Sequence, residues 1–139
     1  VWCPQHDAKT RLPAKARSYE HPSFSGAESV DIVRYLMEIK KPSKKVLKSI
    51  SGAITWFREK QISGIKIIKK DGDKTIVEDE NAPPLWPRFS DLKTGKPIFS
   101  GRDGIIKSSI TEIEAERRNG YAWYVGNPQS ILKDYDRDR

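Results

Sequence analysis

The chain has few of the residues that crosslink proteins or bind transition metals. It contains one cysteine, Cys3, and two histidines, His6 and His21. A single cysteine cannot form an internal disulfide, so the sequence holds no disulfide framework. The three residues lack the spacing of zinc ligands, which argues against a zinc site. We therefore expect Cys3 to be a small buried apolar residue.

Long hydrophobic runs are also missing. No apolar stretch approaches the roughly 20 residues that a transmembrane helix needs, and none resembles a signal peptide. The 139 residues suffice for one domain, and a hydrophobic content of 36% supports a small core. The chain opens on Val1, Trp2 and Cys3 without a methionine. We therefore expect its first residue to lie inside a larger domain.

Acidic residues are outnumbered by basic ones. The chain has 26 lysines and arginines against 19 aspartates and glutamates, which gives a net charge of +7. Such an excess suits a polyanionic partner, for which nucleic acid, anionic lipid and acidic polysaccharide are candidates. Lys44, Lys45 and Lys48 lie mainly off the apolar stripe of a predicted helix. We interpret them as a solvated face in preference to a nucleic-acid-binding stripe.

The first half of the chain predicts two helices. Ser25 and Glu28 have the spacing of a capping box, and apolar residues at helical spacing follow as far as Pro42. Ser43 is placed to cap a second helix that runs to about Lys60. Two consecutive helices joined by a short turn form an αα-hairpin.

Short extended segments follow the helices. Asp71-Gly72 separates two runs rich in β-formers, which predicts a β-hairpin over residues 64–78. Residues 85–90 and 97–100 are predicted to be two further short extended pieces.

Two shorter helices are predicted near the C-terminus. Thr111 and Glu114 repeat the capping-box spacing and predict a short helix to Arg118. Asn127 opens a last helix, and we expect its charged tail, residues 134–139, to fray.

Three arginines in loops are the candidate functional residues. Arg102 lies between Gly101 and Gly104, Arg88 follows a Trp-Pro pair, and Arg17 precedes Ser-Tyr-Glu. A guanidinium grips a carboxylate or phosphate through two parallel hydrogen bonds, so these residues suit an anionic ligand. Each arginine taken alone also fits a structural ion pair.

Four blocks of sequence carry a resemblance to a known family. In chain order they are WCPQHDAKT, ARSYEHPSFSGAESVDIVRYLM, PPLWPRF and FSGRDGIIKSSITEIEAERRNGYAWY. Together they resemble the C-terminal part of a family-ten polysaccharide lyase, a pectate lyase. The last block is the most specific, because it combines a loop, a helix and an aromatic tail.

The resemblance implies a fold and a domain organisation. The expected fold is mainly α, the later portion of an (α/α) toroid with a small β-hairpin and long loops. Residues 1–139 are then the C-terminal part of a single catalytic domain whose upstream part is missing from this chain. We expect the isolated chain to be weakly active or inactive.

The resemblance also implies a reaction, the β-eliminative cleavage of polygalacturonate. It makes Arg17 the base that removes the C5 proton, and Arg88 and Arg102 the residues that bind substrate carboxylates. A free guanidine has a pKa of roughly 12.5 to 13.8, so the neutral base is scarce at neutral pH. Nearby cations and desolvation favour the neutral form. The alternative for Arg17 is an ion pair with Glu20 or Asp7 that orders the loop.

Calcium is the expected cofactor, with ligands mostly outside this chain, since we find no convincing cluster of oxygen ligands in it. The expected partners are polygalacturonate or pectin and the upstream part of the domain, with no nucleic acid and no membrane. The resemblance also implies secretion. Two other functions stay open: a non-catalytic uronate-binding module and a basic nucleic-acid-binding domain.

Overall fold

The computed structural model describes residues 1–138. These residues form four α-helices, one 3-10 turn (Ile110–Glu112) and eight short strands. The helices are α1 Glu28–Met37, α2 Lys44–Glu59, α3 Ala115–Asn119 and α4 Pro128–Arg137. The strands are β1 Phe24–Ser25, β2 Ile65–Lys70, β3 Asp73–Glu78, β4 Trp86–Pro87, β5 Phe89–Ser90, β6 Phe99–Ser100, β7 Ile106–Lys107 and β8 Tyr124–Val125.

The predicted fold class, a mainly α portion of an (α/α) toroid, is wrong. Helices α1, α2 and α4 pack against one another, but the remaining chain forms four separate two-stranded sheets and irregular loops. Most strands are two residues long, and such pieces carry little periodicity for a sequence to reveal. The prediction took its helical architecture from the resemblance, and the described residues do not build it.

The predicted cap at Ser43 is confirmed, whereas α1 begins at Glu28 with Ala27 at the cap position, and no side chain caps it from there. The backbone amide of Glu28 donates to Ser25 Oγ over 3.0 Å, and the Ser25 hydroxyl donates to the Glu28 carboxylate. Ser43 Oγ accepts from the backbone amide of Val46 over 3.3 Å. Helix α1 ends at Met37, before the expected stop at Pro42.

The last helix extends further than predicted. The tail from residue 134 was expected to fray, but α4 continues to Arg137. Residue 139 lies outside the described part of the chain.

The β-hairpin is confirmed. Strands β2 and β3 pair antiparallel from Ile65 opposite Glu78 to Lys70 opposite Asp73. Asp71 and Gly72 both adopt positive φ, of 53° and 79°, which is the backbone that a tight two-residue turn requires.

Two hydrophobic clusters are joined through the segment that holds Arg88. The first cluster lies between α1, α2 and α4, and the second is largely aromatic. Trp86 of β4 belongs to the first cluster and Phe89 of β5 to the second. Because Arg88 lies between these two anchors, its backbone is fixed on both sides. The first cluster contains Val30, Val33, Ile50, Ala53, Ile54, Phe57, Trp86 and Ile131, and the second contains Tyr19, Phe89, Phe99, Ile110, Ile113 and Trp123.

A glycine brings the start of α1 against this segment. The Gly26 amide donates to the Arg88 carbonyl over 3.0 Å. A Cβ placed at Gly26 would lie 2.2 Å from the Pro87 carbonyl oxygen, so no larger residue fits without a backbone shift. This close approach sets the distance between Arg88 and the first turn of α1.

Candidate functional site

The structure brings the three predicted arginines around two tyrosines. The rings of Tyr19 and Tyr121 meet edge to face, with centroids 5.4 Å apart. The Arg17 guanidinium lies 5.0 Å from the Tyr19 centroid, that of Arg88 lies 4.6 Å from Tyr121, and that of Arg102 lies 5.9 Å from Tyr19. Aromatic faces attract guanidinium groups, so the two rings support the arginines around them. We call the two tyrosines and the arginines that surround them the arginine cluster.

Arg17 is held by a carboxylate of its own loop. Its Nε donates to Glu20 Oε2 over 2.9 Å and its Nη2 donates to Glu20 Oε1 over 2.6 Å. The Tyr121 hydroxyl donates to the same Oε1 over 2.7 Å. Of the two pairings left open for Arg17, the structure therefore shows the one with Glu20. The Asp7 carboxylate instead accepts from the backbone amides of its own turn.

This pairing shifts the titration of all three groups. The hydrogen bonds from Arg17 lower the pKa of Glu20 to about 2, and the bonds to Glu20 raise the pKa of Arg17 above its ordinary value. Burial, and then the bond to Glu20, raise the pKa of Tyr121. A general base needs the neutral guanidine, and the pairing with Glu20 favours the charged guanidinium.

Arg88 has one occupied side and one unoccupied side. Its Nη2 donates to Glu28 Oε1 over 2.6 Å, and its side chain is 24% exposed. Its Nε is buried and has no hydrogen-bond partner within residues 1–138. A buried donor without a partner is costly, which makes this edge of the guanidinium a candidate contact for an anionic ligand.

Arg102 is presented by a tight loop that is bonded to the start of α3. Its backbone amide donates to Glu114 Oε1 over 2.6 Å, and its Nε and Nη2 donate to Glu116 over 2.9 and 2.8 Å. A Cβ at Gly101 would lie 1.9 Å from Glu114 Oε2, so a larger residue there would displace the Glu114 carboxylate from the Arg102 amide. Gly104 closes the loop with a φ of 73°.

A fourth arginine, Arg117, lies beside one of these tyrosines, Tyr19, and was not predicted from the sequence. The Arg117 guanidinium lies 4.8 Å from the Tyr19 centroid and shares Glu116 with Arg102. Its neighbour Arg118 points elsewhere and bonds Asp73 through two contacts of 2.8 Å. In the sequence the two arginines look alike at the end of a short helix, and nothing local distinguishes them. Tyr121 was not among the predicted site residues either, although its ring centroid lies 5.8 Å from the Arg17 guanidinium and 4.6 Å from that of Arg88.

Every arginine of the cluster already bonds a carboxylate of the protein. Glu20 pairs with Arg17, Glu28 pairs with Arg88, and Glu116 is shared by the remaining two. Arg17 and Arg102 are nevertheless well exposed, with 62% and 60% of their side chains accessible. A ligand carboxylate can therefore reach both, but it has to compete with an internal carboxylate for the same donors.

The residues that the structure describes do not fit a calcium site on their own. Within residues 1–138 no group of three or more histidine, cysteine, aspartate or glutamate side chains could hold a metal ion. Asp103, the acidic residue next to Arg102, accepts from the backbone amide of Ile105 over 2.9 Å, as a residue that caps its own turn does. No helix of the described chain is long and apolar enough to cross a membrane.

The ion pairs predict a loss of stability at low pH. The pKa values of Glu20, Glu116 and Asp73 fall to about 2 because arginines donate to each of them. A carboxyl group with a lowered folded-state pKa contributes stability above its unfolded-state value, and this contribution disappears as the pH falls. We expect the unfolding temperature to drop between about pH 4.5 and pH 2, as followed by circular dichroism. The variant Glu20→Gln should show a smaller drop than the parent, and an equal drop would contradict this origin.

Comparisons with known proteins identify relatives of the chain. The family model described as "Pectic acid lyase" matches residues 1–132. A family 10 polysaccharide lyase from Cellvibrio cellulosa is 33% identical, with a TM-score of 0.88. A mutant of a family 10 polysaccharide lyase from the same organism, in complex with trigalacturonic acid, is also 33% identical, with a TM-score of 0.88. The alignment covers 99% of this chain and 43% of each solved chain, so this chain spans less than half their length. The search of curated proteins found no match.

Proposed function

Because the chain belongs to the pectic acid lyase family, we propose that it contributes the arginine cluster to an enzyme that cleaves polygalacturonate by β-elimination. The observation that carries the proposal is the convergence of Arg17, Arg88 and Arg102 on Tyr19 and Tyr121. Polygalacturonate is a chain of carboxylates, and clustered guanidinium groups suit its repeated negative charge. A related lyase in complex with trigalacturonic acid supports a substrate of this class.

The proposed roles follow the direction of charge movement in the reaction. A base takes the proton from C5, the C5–H electrons form the C4–C5 double bond, and the C4–O bond breaks with its electrons on the leaving oxygen. Negative charge grows on the carboxylate attached to C5 as the proton departs. Arg88 and Arg102 bind that carboxylate and its neighbour, and their donors stabilise the developing charge.

Arg17 is the proposed base on the strength of the resemblance. In the structure Arg17 and Arg102 are similar in kind, since each is exposed and each bonds one carboxylate through Nε and Nη2. The pairing with Glu20 holds Arg17 in its protonated form, so the proposal requires substrate to separate the two side chains. Calcium dependence and secretion remain predictions from the resemblance.

The proposal is tested with the intact protein on polygalacturonate. Unsaturated product absorbs in the ultraviolet, so its appearance with calcium, and its loss with a chelator, are the expected results. Retention on polygalacturonate without any product would favour the alternative, a non-catalytic uronate-binding module. The observation that favours this alternative is the pairing of Arg17 with Glu20, which stabilises the charged guanidinium and disfavours a role as base.

A further inference from the structure

Glu116 differs from the other carboxylates of the arginine cluster in having two guanidinium partners. Arg102 donates to its Oε2 and Oε1 over 2.9 and 2.8 Å, and Arg117 donates to the same atoms over 2.8 and 2.5 Å. Each oxygen of Glu116 thus accepts from both arginines. The arrangement places two cations around a single anion.

The two arginines differ in their freedom to leave Glu116. The Arg117 side chain is only 10% exposed, and its backbone carbonyl accepts from the buried indole of Trp123 over 3.0 Å. The Arg102 side chain is 60% exposed and comes from a loop outside the helix. Arg102 can therefore turn toward solvent, whereas Arg117 is fixed in place.

Release of an arginine has different consequences for the three carboxylates. Glu20 would lose its guanidinium and keep neutral donors, chiefly the Tyr121 hydroxyl. Glu28 would keep the Ser25 hydroxyl. Glu116 would keep a bidentate bond to a second guanidinium. Leaving a partly buried charge without an opposite charge is costly, so Arg102 exchanges its partner most readily.

We propose that Glu116 is a placeholder for a uronate carboxylate of the substrate, and that Arg117 retains Glu116 when the substrate takes over Arg102. The inference rests on the proposed function and adds two positioning residues, Glu116 and Arg117, to it. In the free protein Glu116 keeps the Arg102 fork occupied and oriented. When an oligogalacturonate arrives, one carboxylate replaces another on Arg102 and Glu116 remains paired. Arg102 is then the first arginine of the cluster to engage substrate.

The direct test follows the arginine Nε–H signals by NMR in calcium-free buffer while trigalacturonic acid is added to the protein. We expect the Arg102 signal to shift strongly and the Arg117 signal to stay nearly unchanged. Equal shifts of both signals, or a shift of Arg17 or Arg88 with Arg102 unmoved, would overturn the placeholder role and leave the proposed function intact. No response from any arginine would count against both.

Substitution gives a second readout. With Glu116→Gln the competing anion is gone, and we expect the Kd for trigalacturonic acid to fall roughly three- to tenfold in calorimetry. The control Glu112→Gln removes the same charge nearby from a carboxylate that bonds the Ser108 hydroxyl. It should change Kd by less than about twofold. An unchanged or higher Kd for Glu116→Gln contradicts the inference. If that variant does not fold, the NMR titration of the parent protein decides.

Discussion

Replacing Arg17 with alanine should lower kcat/KM of the intact protein on polygalacturonate by about a thousandfold, within the range that a general base contributes. The loss should fall on kcat, because proton removal occurs only in the transition state. Arg17→Lys should retain more activity and shift the pH profile to lower pH, since an amine loses its proton more readily than a guanidinium. Initial rates of ultraviolet absorbance, measured across pH, provide the comparison.

The matched control for this substitution is Arg58→Ala. Arg58 lies on α2, is about as exposed as Arg17 and pairs with Asp136 over 2.5 Å, outside the arginine cluster. Its loss should leave turnover nearly unchanged. If Arg17→Ala turns over normally and Arg102→Ala is inactive, the base assignment to Arg17 is wrong. The structure leaves room for that result, since both arginines have similar exposure and pairing.

Replacing Trp86 with alanine should lower the free energy of unfolding by about 4 kcal/mol, the usual cost of emptying a buried tryptophan site. Trp86 is fully buried in the first hydrophobic cluster, between α1, α2 and α4, and its indole donates to the Phe57 carbonyl over 2.6 Å. The substitution removes a large side chain and leaves that carbonyl without its donor. Chemical denaturation followed by tryptophan fluorescence and circular dichroism measures the change.

Two further variants separate packing from hydrogen bonding at this position. Trp86→Phe keeps most of the aromatic volume, loses the indole donor and should cost about half as much. Leu47→Ala removes a leucine of α2 that is 52% exposed and should cost well under about 1 kcal/mol. An effect of Trp86→Ala as small as that of Leu47→Ala would show that Trp86 does not anchor the segment that holds Arg88.

Features set by neighbouring residues were predictable from the sequence. The Ser43 cap needs only its own helix turn, and the tight turn at Asp71-Gly72 needs only two residues that tolerate positive φ. Both are present. The family was also recognisable, because its blocks carry unusual combinations of glycine, arginine and aromatic residues in order.

Features set by distant residues were not predictable. The pairing of β4 with β8, and the separate directions of Arg117 and Arg118, depend on which segments meet in space. Short strands of two residues lack a measurable alternation, so residues 85–90 and 97–100 indicated extended chain but not their partners. The toroid was inferred from the resemblance, and no helix periodicity in the sequence tested it.

The wide sequence separation of the paired residues also has a kinetic consequence. Tyr121 bonds Glu20 across 101 residues, and Arg88 bonds Glu28 across 60. Closing loops of this length costs chain entropy, and the contacts that offset this cost form only once the loop has closed. These pairs therefore form slowly and together with the rest of the chain. The local hairpin can form early, but the arginine cluster exists only in the completed fold. We therefore expect local unfolding that separates β4 from β8 to disperse the arginine cluster.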